Sequence, residues 1–157
     1  MICFDTSIVI WGVQGTAGSA QGEMIRRTKR YIEHLAEKGE KVMIPAPALA
    51  EYLVHFDPAD QRKQRQAVEK NFLVPAFDVH AAALAAELLG NTELLKEIIK
   101  TGDVDRIKVK TDAEIIATAI VNGAEKIISH DPDFAKLAQG KIKVEEVPHI
   151  QAQMGFF

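Results

Sequence analysis

The chain of 157 residues is long enough to bury a hydrophobic core, and its length predicts a single domain over 1–157. No apolar stretch approaches the roughly 20 residues that span a bilayer, which argues against a membrane protein. A net charge of -3 argues against a dedicated nucleic-acid binder, whose domain is usually strongly basic. The N-terminus lacks the pattern of a secretory signal, and Cys3 is the single cysteine, so we expect a cytoplasmic protein without an internal disulfide.

The first half of the sequence predicts strands and helices in alternation. Residues 2–4 form an apolar run that predicts a buried strand, which the helical run SIVIW extends. The Gly-, Ala- and Ser-rich residues 12–22 predict a flexible loop, since they have little to bury. Residues 23–38 predict an amphipathic helix. A second strand follows in KVMIP and a further helix in ALAEYLVHF.

The second half continues the alternation. Asp57 followed by Pro58 is typical of a helix N-terminus, NFLVPAF predicts an extended segment, and VHAAALAAELL and TELLKEIIK predict helices. DVDRIKVK is interpreted as a polar connection to the clearest helix, TDAEIIATAIVNGA, where Thr111 and Glu114 form a capping box. KIIS and KVEEVP predict the last strands, with a turn and a helix in DPDFAKLA. This order predicts an α/β fold of three layers, α/β/α, with a central parallel sheet.

Four acidic residues lie far apart in the chain, where a parallel sheet would bring them together: Asp5, Glu51, Asp112 and Asp131. Asp5 ends the first apolar run and Asp131 follows KIISH, and the carboxyl ends of parallel strands meet at one edge of a sheet. Clustered carboxylates stay ionised together only beside a cation, and their hard oxygen ligands suit Mg²⁺ or Mn²⁺. We therefore expect metal-assisted chemistry.

Each acid also has a simpler explanation. Asp5 and Asp112 suit the N-terminus of a helix, where a carboxylate caps N–H groups or meets the positive end of the helix dipole. Asp131 and Asp133 suit an ordinary turn. Glu51 is harder to explain in this way, because it lies in a mainly apolar segment and a buried carboxylate needs a partner.

Other polar and aromatic residues carry weaker signals. Hydrogen bonds to a carboxylate or to a metal-bound water are expected from Thr6, Ser7 and Ser129, with simple capping as an equal alternative. His55 and His130 stand near acids but do not make a zinc site. Basic residues gather in RRTKR, RKQR and RIKVK, each of which is typical of a solvated helix face or loop. Core or interface positions, in preference to platforms on which nucleobases stack, are expected for the large aromatic residues: Trp11, Tyr31, Tyr52 and the phenylalanines.

Taken in order, ICFDTSIVIW, APALAEYL, TDAEIIATAIVNGAEKIIS and SHDPDF resemble the four acidic motifs of PIN-domain nucleases. The resemblance covers about residues 1–148, and its most specific part is DAEIIATAIVNGAEKIISHDPDF. Within that family, the chain is most similar to the toxin subunits of VapBC-type toxin–antitoxin pairs. Ser7 departs from the family pattern, which often has Asn there, and the segments at 12–22 and 90–110 look longer than in the compact toxins.

The resemblance implies an endoribonuclease that uses Mg²⁺ or Mn²⁺ to hydrolyse RNA phosphodiester bonds in an acidic pocket. The implied catalytic and metal-binding residues are Asp5, Glu51, Asp112 and Asp131, with Asp133 as a fifth metal ligand acting through water. It also implies a cytoplasmic homodimer without membrane association. Its partner would be a small antitoxin that offers an arginine to the carboxylates.

Three other functions are alternatives, and the resemblance to PIN-domain nucleases argues against the last of them. Two keep the PIN fold: a housekeeping RNA-processing nuclease, and a non-catalytic binding module that would have lost one or more of the acids. The third is a haloacid-dehalogenase-like phosphatase, which also places an Asp after its first strand. That chemistry requires a second acid two residues later, where this chain has Ser7.

Overall fold

The computed structural model describes residues 1–15, 21–101 and 105–151, and a parallel sheet lies at its centre. The sheet has the order β2-β1-β3-β4. Its strands are β1 (Ile2–Phe4), β2 (Val42–Met43), β3 (Lys126–Ile128) and β4 (Lys143–Glu145). The chain leaves β1 towards β2 on one side, whereas β3 and β4 lie on the other side. A crevice therefore opens at the carboxyl ends of β1 and β3, where the direction of winding reverses.

The central strands are buried on both faces, which explains why their sequences are continuous apolar runs. Cys3 and Phe4 of β1 and Ile127 and Ile128 of β3 have no exposed surface. Burial raises the pKa of the Cys3 thiol well above its ordinary value, as expected of a structural cysteine.

The extended segment predicted in NFLVPAF is confirmed, and it protects the free edge of β2. Leu73 pairs with Met43 in a parallel bridge. The Leu73 N–H donates to Val42 O at 3.0 Å, and the Ile44 N–H donates to Leu73 O at 2.8 Å. Backbone groups that would otherwise form an open edge are thus paired.

Helices cover both faces of the sheet, and the predicted three-layer α/β/α architecture is confirmed. A π-helical turn at Ile10–Gln14 follows the first helix. The α-helices are α1 (Thr6–Val9), α2 (Gly22–Glu37), α3 (Ala46–Leu53), α4 (Pro58–Asn71), α5 (Val79–Leu89), α6 (Thr92–Thr101), α7 (Arg106–Val121) and α8 (Pro132–Leu137). None of the helices in the described ranges is both long and apolar enough to cross a membrane.

The loop predicted over residues 12–22 was too long at both ends. Residues 12–14 belong to the π-helical turn, and Gly22 already begins α2. Residues 16–20 lie outside the described ranges. The turn ends at Gly15, whose φ of 65° is a left-handed conformation that glycine adopts without strain.

The predicted start of α7 was also wrong. The helix begins at Arg106, and its N-cap is Asp105, whose carboxylate accepts from the Ile107 N–H at 3.2 Å. Thr111 lies inside the helix, and its hydroxyl donates to Ile107 O at 3.1 Å instead of capping the end. Of the predicted polar connection over residues 103–110, residues 106–110 therefore belong to α7 and Asp105 is its N-cap, while residues 103 and 104 lie outside the described ranges.

Packing explains why α7 extends towards its N-terminus. Val109 is buried and lies one helical turn before Ala113, so the buried stripe of α7 begins earlier than the capping box predicted. α5 packs along α7, and small buried residues on both helices, among them Ala85 and Ala117, allow a close approach.

Candidate functional site

The crevice between β1 and β3 begins with Asp5, the first residue after β1. Its N–H donates to Ile128 O at 3.1 Å, which continues the pairing of the two strands by one residue. Asp5 Oδ1 accepts from the Thr6 N–H at 2.6 Å, so Asp5 also caps α1. Capping and membership of a site are therefore compatible at this residue.

Two serine hydroxyls hold the other oxygen of Asp5. Ser129, just after β3, donates to Asp5 Oδ2 at 2.9 Å, and Ser7 donates to the same oxygen at 3.1 Å. Burial raises the pKa of the Asp5 carboxyl, although the hydrogen bonds from Ser129, Thr6 and Ser7 oppose this shift. Of the three hydroxyls predicted to support a carboxylate, those of Ser7 and Ser129 thus contact Asp5 directly.

Thr6 connects the end of β1 to α3, the helix that carries Glu51. The Thr6 hydroxyl donates to Glu51 Oε2 at 2.6 Å, while the Thr6 N–H is bonded to Asp5. One threonine therefore positions two of the four predicted acids.

Lys108 joins the other two acids. Its ammonium donates to Asp112 Oδ2 at 2.9 Å and also to Asp131 Oδ2. Lys108 and Asp112 are four residues apart in α7, the spacing that brings side chains together on one helix face. Burial alone would lower the pKa of Lys108, but its bonds to Asp131 and Asp112 raise it above the ordinary value, so the lysine stays charged.

One ammonium does not balance the buried negative charge. Burial, together with the nearby charges of Asp5 and Asp131, raises the pKa of Asp112 to about 7, in spite of the opposing bond from Lys108. The Asp112 carboxyl therefore holds a proton far more readily than an exposed aspartate does. A second positive charge would allow the acids to ionise together.

Asp131 caps α8 and also contributes to the site, whereas Asp133 does not line it. Asp131 Oδ1 accepts from the Asp133 N–H at 2.9 Å, and the Asp131 N–H donates to Ser129 Oγ at 3.1 Å. The carboxylate of Asp133 contacts Lys136 Nζ at 3.4 Å. Of the five predicted acids, Asp133 is the one outside the pocket wall.

The four acids share one pocket of about 590 Å³ at the carboxyl ends of β1 and β3. A larger pocket of about 730 Å³ lies elsewhere, between α2, β2 and the end of α4, and it contains none of the four acids. The acidic pocket is lined by Asp5, Thr6, Ser7, Ile10, Trp11, Glu51, Val54, His55, Lys108, Asp112, His130 and Asp131.

Both histidines near the acids lie in this wall. His130 Nε2 accepts from the Val147 N–H at 3.1 Å, and its ring meets Trp11 edge to face with centroids 5.4 Å apart. Burial lowers the pKa of His130, so the neutral ring is favoured. His55 is more exposed. Tyr52, by contrast, is fully buried, as predicted.

Lys108 is the charged residue of the pocket that the sequence interpretation missed, since it was grouped with a solvated basic cluster. The signal was its spacing of four residues from Asp112, but that spacing matters only if both residues lie in one helix. Because the capping box placed the helix start at Thr111, Lys108 was left in a connection.

The donor set fits a hard divalent cation. Carboxylate oxygens from four separate elements line the same pocket with a single ammonium to balance them, and such oxygens are the preferred ligands of Mg²⁺ and Mn²⁺. Within the described part of the chain, no three acidic, histidine or cysteine side chains are grouped closely enough to enclose a metal ion as they stand. The pocket therefore fits a metal ion by the type of its donor atoms, and not by a closed set of ligands already in place.

The fold and the pocket together define an α/β protein with an acidic site at the topological switch point of a parallel sheet. The chain belongs to the PIN-domain family, whose model matches residues 2–140. This confirms the family predicted from the motifs. Among curated protein sequences, none is similar enough to match.

Two solved structures show the same fold. One is a chain of VapBC2 from Rickettsia felis, in a structure bound to a DNA fragment from the VapBC2 promoter. It has 18% identity and a TM-score of 0.63, and the match covers 93% of this chain and 98% of the other. The second is VapC20 of Mycobacterium tuberculosis, a sarcin-ricin loop cleaving toxin, with 21% identity, a TM-score of 0.57, and coverage of 89% and 95%. At these identities, the likeness concerns the fold.

Proposed function

We propose that the protein is a divalent-metal-dependent endoribonuclease that hydrolyses RNA phosphodiester bonds and acts as the toxin of a toxin–antitoxin pair. The observation that carries the proposal is the meeting of Asp5, Glu51, Asp112 and Asp131 in one pocket. Membership of the PIN-domain family supports it. A binding module without catalysis would not need all four acids, and this chain keeps them.

In the proposed mechanism the four acids would hold Mg²⁺ or Mn²⁺. Such an ion, when bound, lowers the pKa of a water and offsets charge that develops on the scissile phosphate. Ser129 and Ser7 fix the orientation of Asp5, and Thr6 fixes Glu51. No side chain needs to form a covalent intermediate.

We also propose that Lys108, in the pocket wall, attracts the phosphate of the RNA. A phosphate is repelled by clustered carboxylates, so RNA needs positive charge where it enters. Lys108 supplies one such charge in the wall of the pocket, with 43% of its side chain exposed. Its ammonium is held by Asp112 and Asp131 and is already aligned when the phosphate arrives.

Cleavage of RNA tests the proposal. We expect the wild type to cut RNA in Mg²⁺ or Mn²⁺ and to stop in EDTA, and we expect Asp5→Asn and Asp112→Asn to lose at least about 100-fold in rate. Asp57→Asn is the matched control, because Asp57 caps α4 outside the pocket and Asn also caps helices well. Cleavage that survived both pocket substitutions would refute the assignment.

The partner proposal extends from the Rickettsia felis neighbour, which is a VapBC complex. We propose a small antitoxin that inserts an arginine among the carboxylates, and a homodimer of this chain. A short reading frame for a DNA-binding protein beside the gene would support the toxin role, whereas its absence would favour housekeeping RNA processing. Sedimentation that shows only monomer at micromolar concentration would contradict the dimer.

A further inference from the structure

A tryptophan lies in the wall of the acidic pocket. Trp11 is the single tryptophan of the chain, and its ring is half-buried. It packs against the hydrophobic core, as the sequence predicted, but it also lines the pocket beside the four acids. A flat aromatic surface thus borders the proposed cleavage site.

The Trp11 ring has a hydrogen bond and a ring contact that orient it. Its Nε1–H donates to Gln21 Oε1 at 3.2 Å, and it meets the His130 ring at an interplanar angle of 70°. His130 is fixed in turn by the Val147 N–H. A side chain that is already positioned loses little conformational entropy when a ligand binds.

The backbone around Trp11 is unusual. Trp11 lies in the π-helical turn, where the Gly15 N–H donates to Ile10 O at 3.1 Å across five residues. π-helical turns are rare and often occur at functional sites. The local geometry thus points to this position independently of the pocket.

The shape and charge of the pocket indicate which part of an RNA binds beside Trp11. The pocket volume of about 590 Å³ lies in the range of small-molecule sites, roughly 300–1,000 Å³, and exceeds the needs of one hydrated ion. Beside Asp5 and Glu51 a phosphate needs a cation, whereas the Trp11 ring in the same pocket carries no charge. A nucleobase is planar and uncharged at neutral pH, and it stacks on aromatic side chains.

We propose that Trp11, with His130 beside it, stacks an unpaired base of the RNA next to the cleaved phosphodiester bond. This inference rests on the proposed nuclease function and narrows its substrate. A base inside a duplex is already stacked on its neighbours, so stacking on Trp11 requires an unpaired base.

The fluorescence of Trp11 gives a direct test, because no other tryptophan contributes to the signal. The full-length Asp112→Asn protein in Mg²⁺ would be titrated with single-stranded oligoadenylate, with an abasic oligoribonucleotide of equal length, and with a duplex. We expect saturable quenching by the oligoadenylate alone. Equal responses to the oligoadenylate and the abasic strand would overturn the proposal.

A substitution series separates stacking from a structural role. Because the Trp11 variants contain no tryptophan, their binding is measured from the anisotropy of dye-labelled oligonucleotides. We expect Trp11→Ala to weaken binding of the oligoadenylate by roughly tenfold or more and to abolish its preference over the abasic strand, whereas Trp11→Phe keeps most of both. Phe77→Ala is the control, because Phe77 is a partly exposed aromatic residue outside this pocket wall. Loss of stability in Trp11→Ala without loss of the base preference would contradict stacking.

Failure of this inference can be told apart from failure of the proposed function. Metal-dependent cleavage by the wild type, with unquenched Trp11 and an unchanged Trp11→Ala variant, would refute the stacking and leave the nuclease standing. Quenching by oligoadenylate, together with a wild type that cuts no RNA, would support the stacking and refute the nuclease.

Discussion

Asp112 shows at the scale of single residues how burial and function conflict. Its side chain is only 8% exposed, and its one cationic partner is shared with Asp131. A carboxyl in such a place stabilises the folded chain only when it is protonated or when a cation is near. A buried ionised carboxyl of this kind lowers the stability of the folded chain but supplies a functional group to the site.

The stability of the metal-free protein should therefore depend on the ionisation of Asp112. Its folded-state pKa of about 7 lies above the ordinary value of 3.8, so the folded chain binds the proton more tightly than the unfolded chain. The contribution of the protonated Asp112 carboxyl to the free energy of unfolding is complete below about pH 4, and it is lost as the pH rises to about 7. In EDTA we expect urea unfolding to show the wild type losing stability relative to Asp112→Asn over this range, by at most about 1.4 kcal/mol per pH unit.

Burial also raises the pKa of Asp5, which responds in the same sense, and its charge contributes to the raised pKa of Asp112, so the comparison reports the two coupled carboxyls together. The difference between wild type and variant should shrink when Mn²⁺ is added, because a bound cation favours the ionised carboxylate. A difference that grew with falling pH would contradict the assigned direction.

Lys108 acts as an internal cation that competes with a metal for Asp112 and Asp131. We expect Lys108→Met to bind Mn²⁺ about tenfold more tightly by titration calorimetry, because a positive charge is removed from the site. The same variant should lose about 1–3 kcal/mol of stability in EDTA, since Asp112 is left buried without its partner, and should recover in Mn²⁺. Weaker Mn²⁺ binding would contradict this role.

Lys110→Met provides the matched control for Lys108→Met. Lys110 is in the same helix, but its side chain is 70% exposed and it pairs with Glu114, which does not line the pocket. Its removal should leave both Mn²⁺ affinity and stability nearly unchanged.

At the scale of elements, the start of α7 decides which residues reach the pocket. Asp105 and Thr111 are both good capping residues, and local sequence alone favoured Thr111 because of Glu114 three residues later. The choice is made by tertiary packing: Val109 buries its side chain in the core and draws another turn of chain into the helix. Lys108 enters the site as a consequence.

The two capping hypotheses predict different substitution effects. With Asp105 as the N-cap, Asp105→Ala should cost about 1 kcal/mol of unfolding free energy, whereas Thr111→Ala should cost clearly less. Urea denaturation of the two variants at one pH measures this. A larger loss of stability in Thr111→Ala than in Asp105→Ala would instead support the capping box of Thr111 and Glu114.

At the scale of the whole molecule, the fold and the meeting of Asp5 with Asp131 were predictable from a simple rule, whereas Glu51 and Asp112 lie inside helices and were identified through the resemblance to the PIN-domain motifs. Apolar runs that alternate with amphipathic helices form a parallel sheet, and residues just after its strands meet at one edge. Asp5 and Asp131 follow that rule directly. Lys108 and Trp11 did not, because their positions depend on where a helix starts and on a π-helical turn, and distant packing determines both.

The most direct test of the account is the location of a bound metal. Crystals soaked in Mn²⁺, at a concentration that supports RNA cleavage, would be measured for anomalous scattering at the manganese edge. We predict a peak in the pocket within coordination distance of the Asp5, Asp112 and Asp131 carboxylates. A pocket without that peak, or manganese bound at acids elsewhere on the chain, would contradict the account.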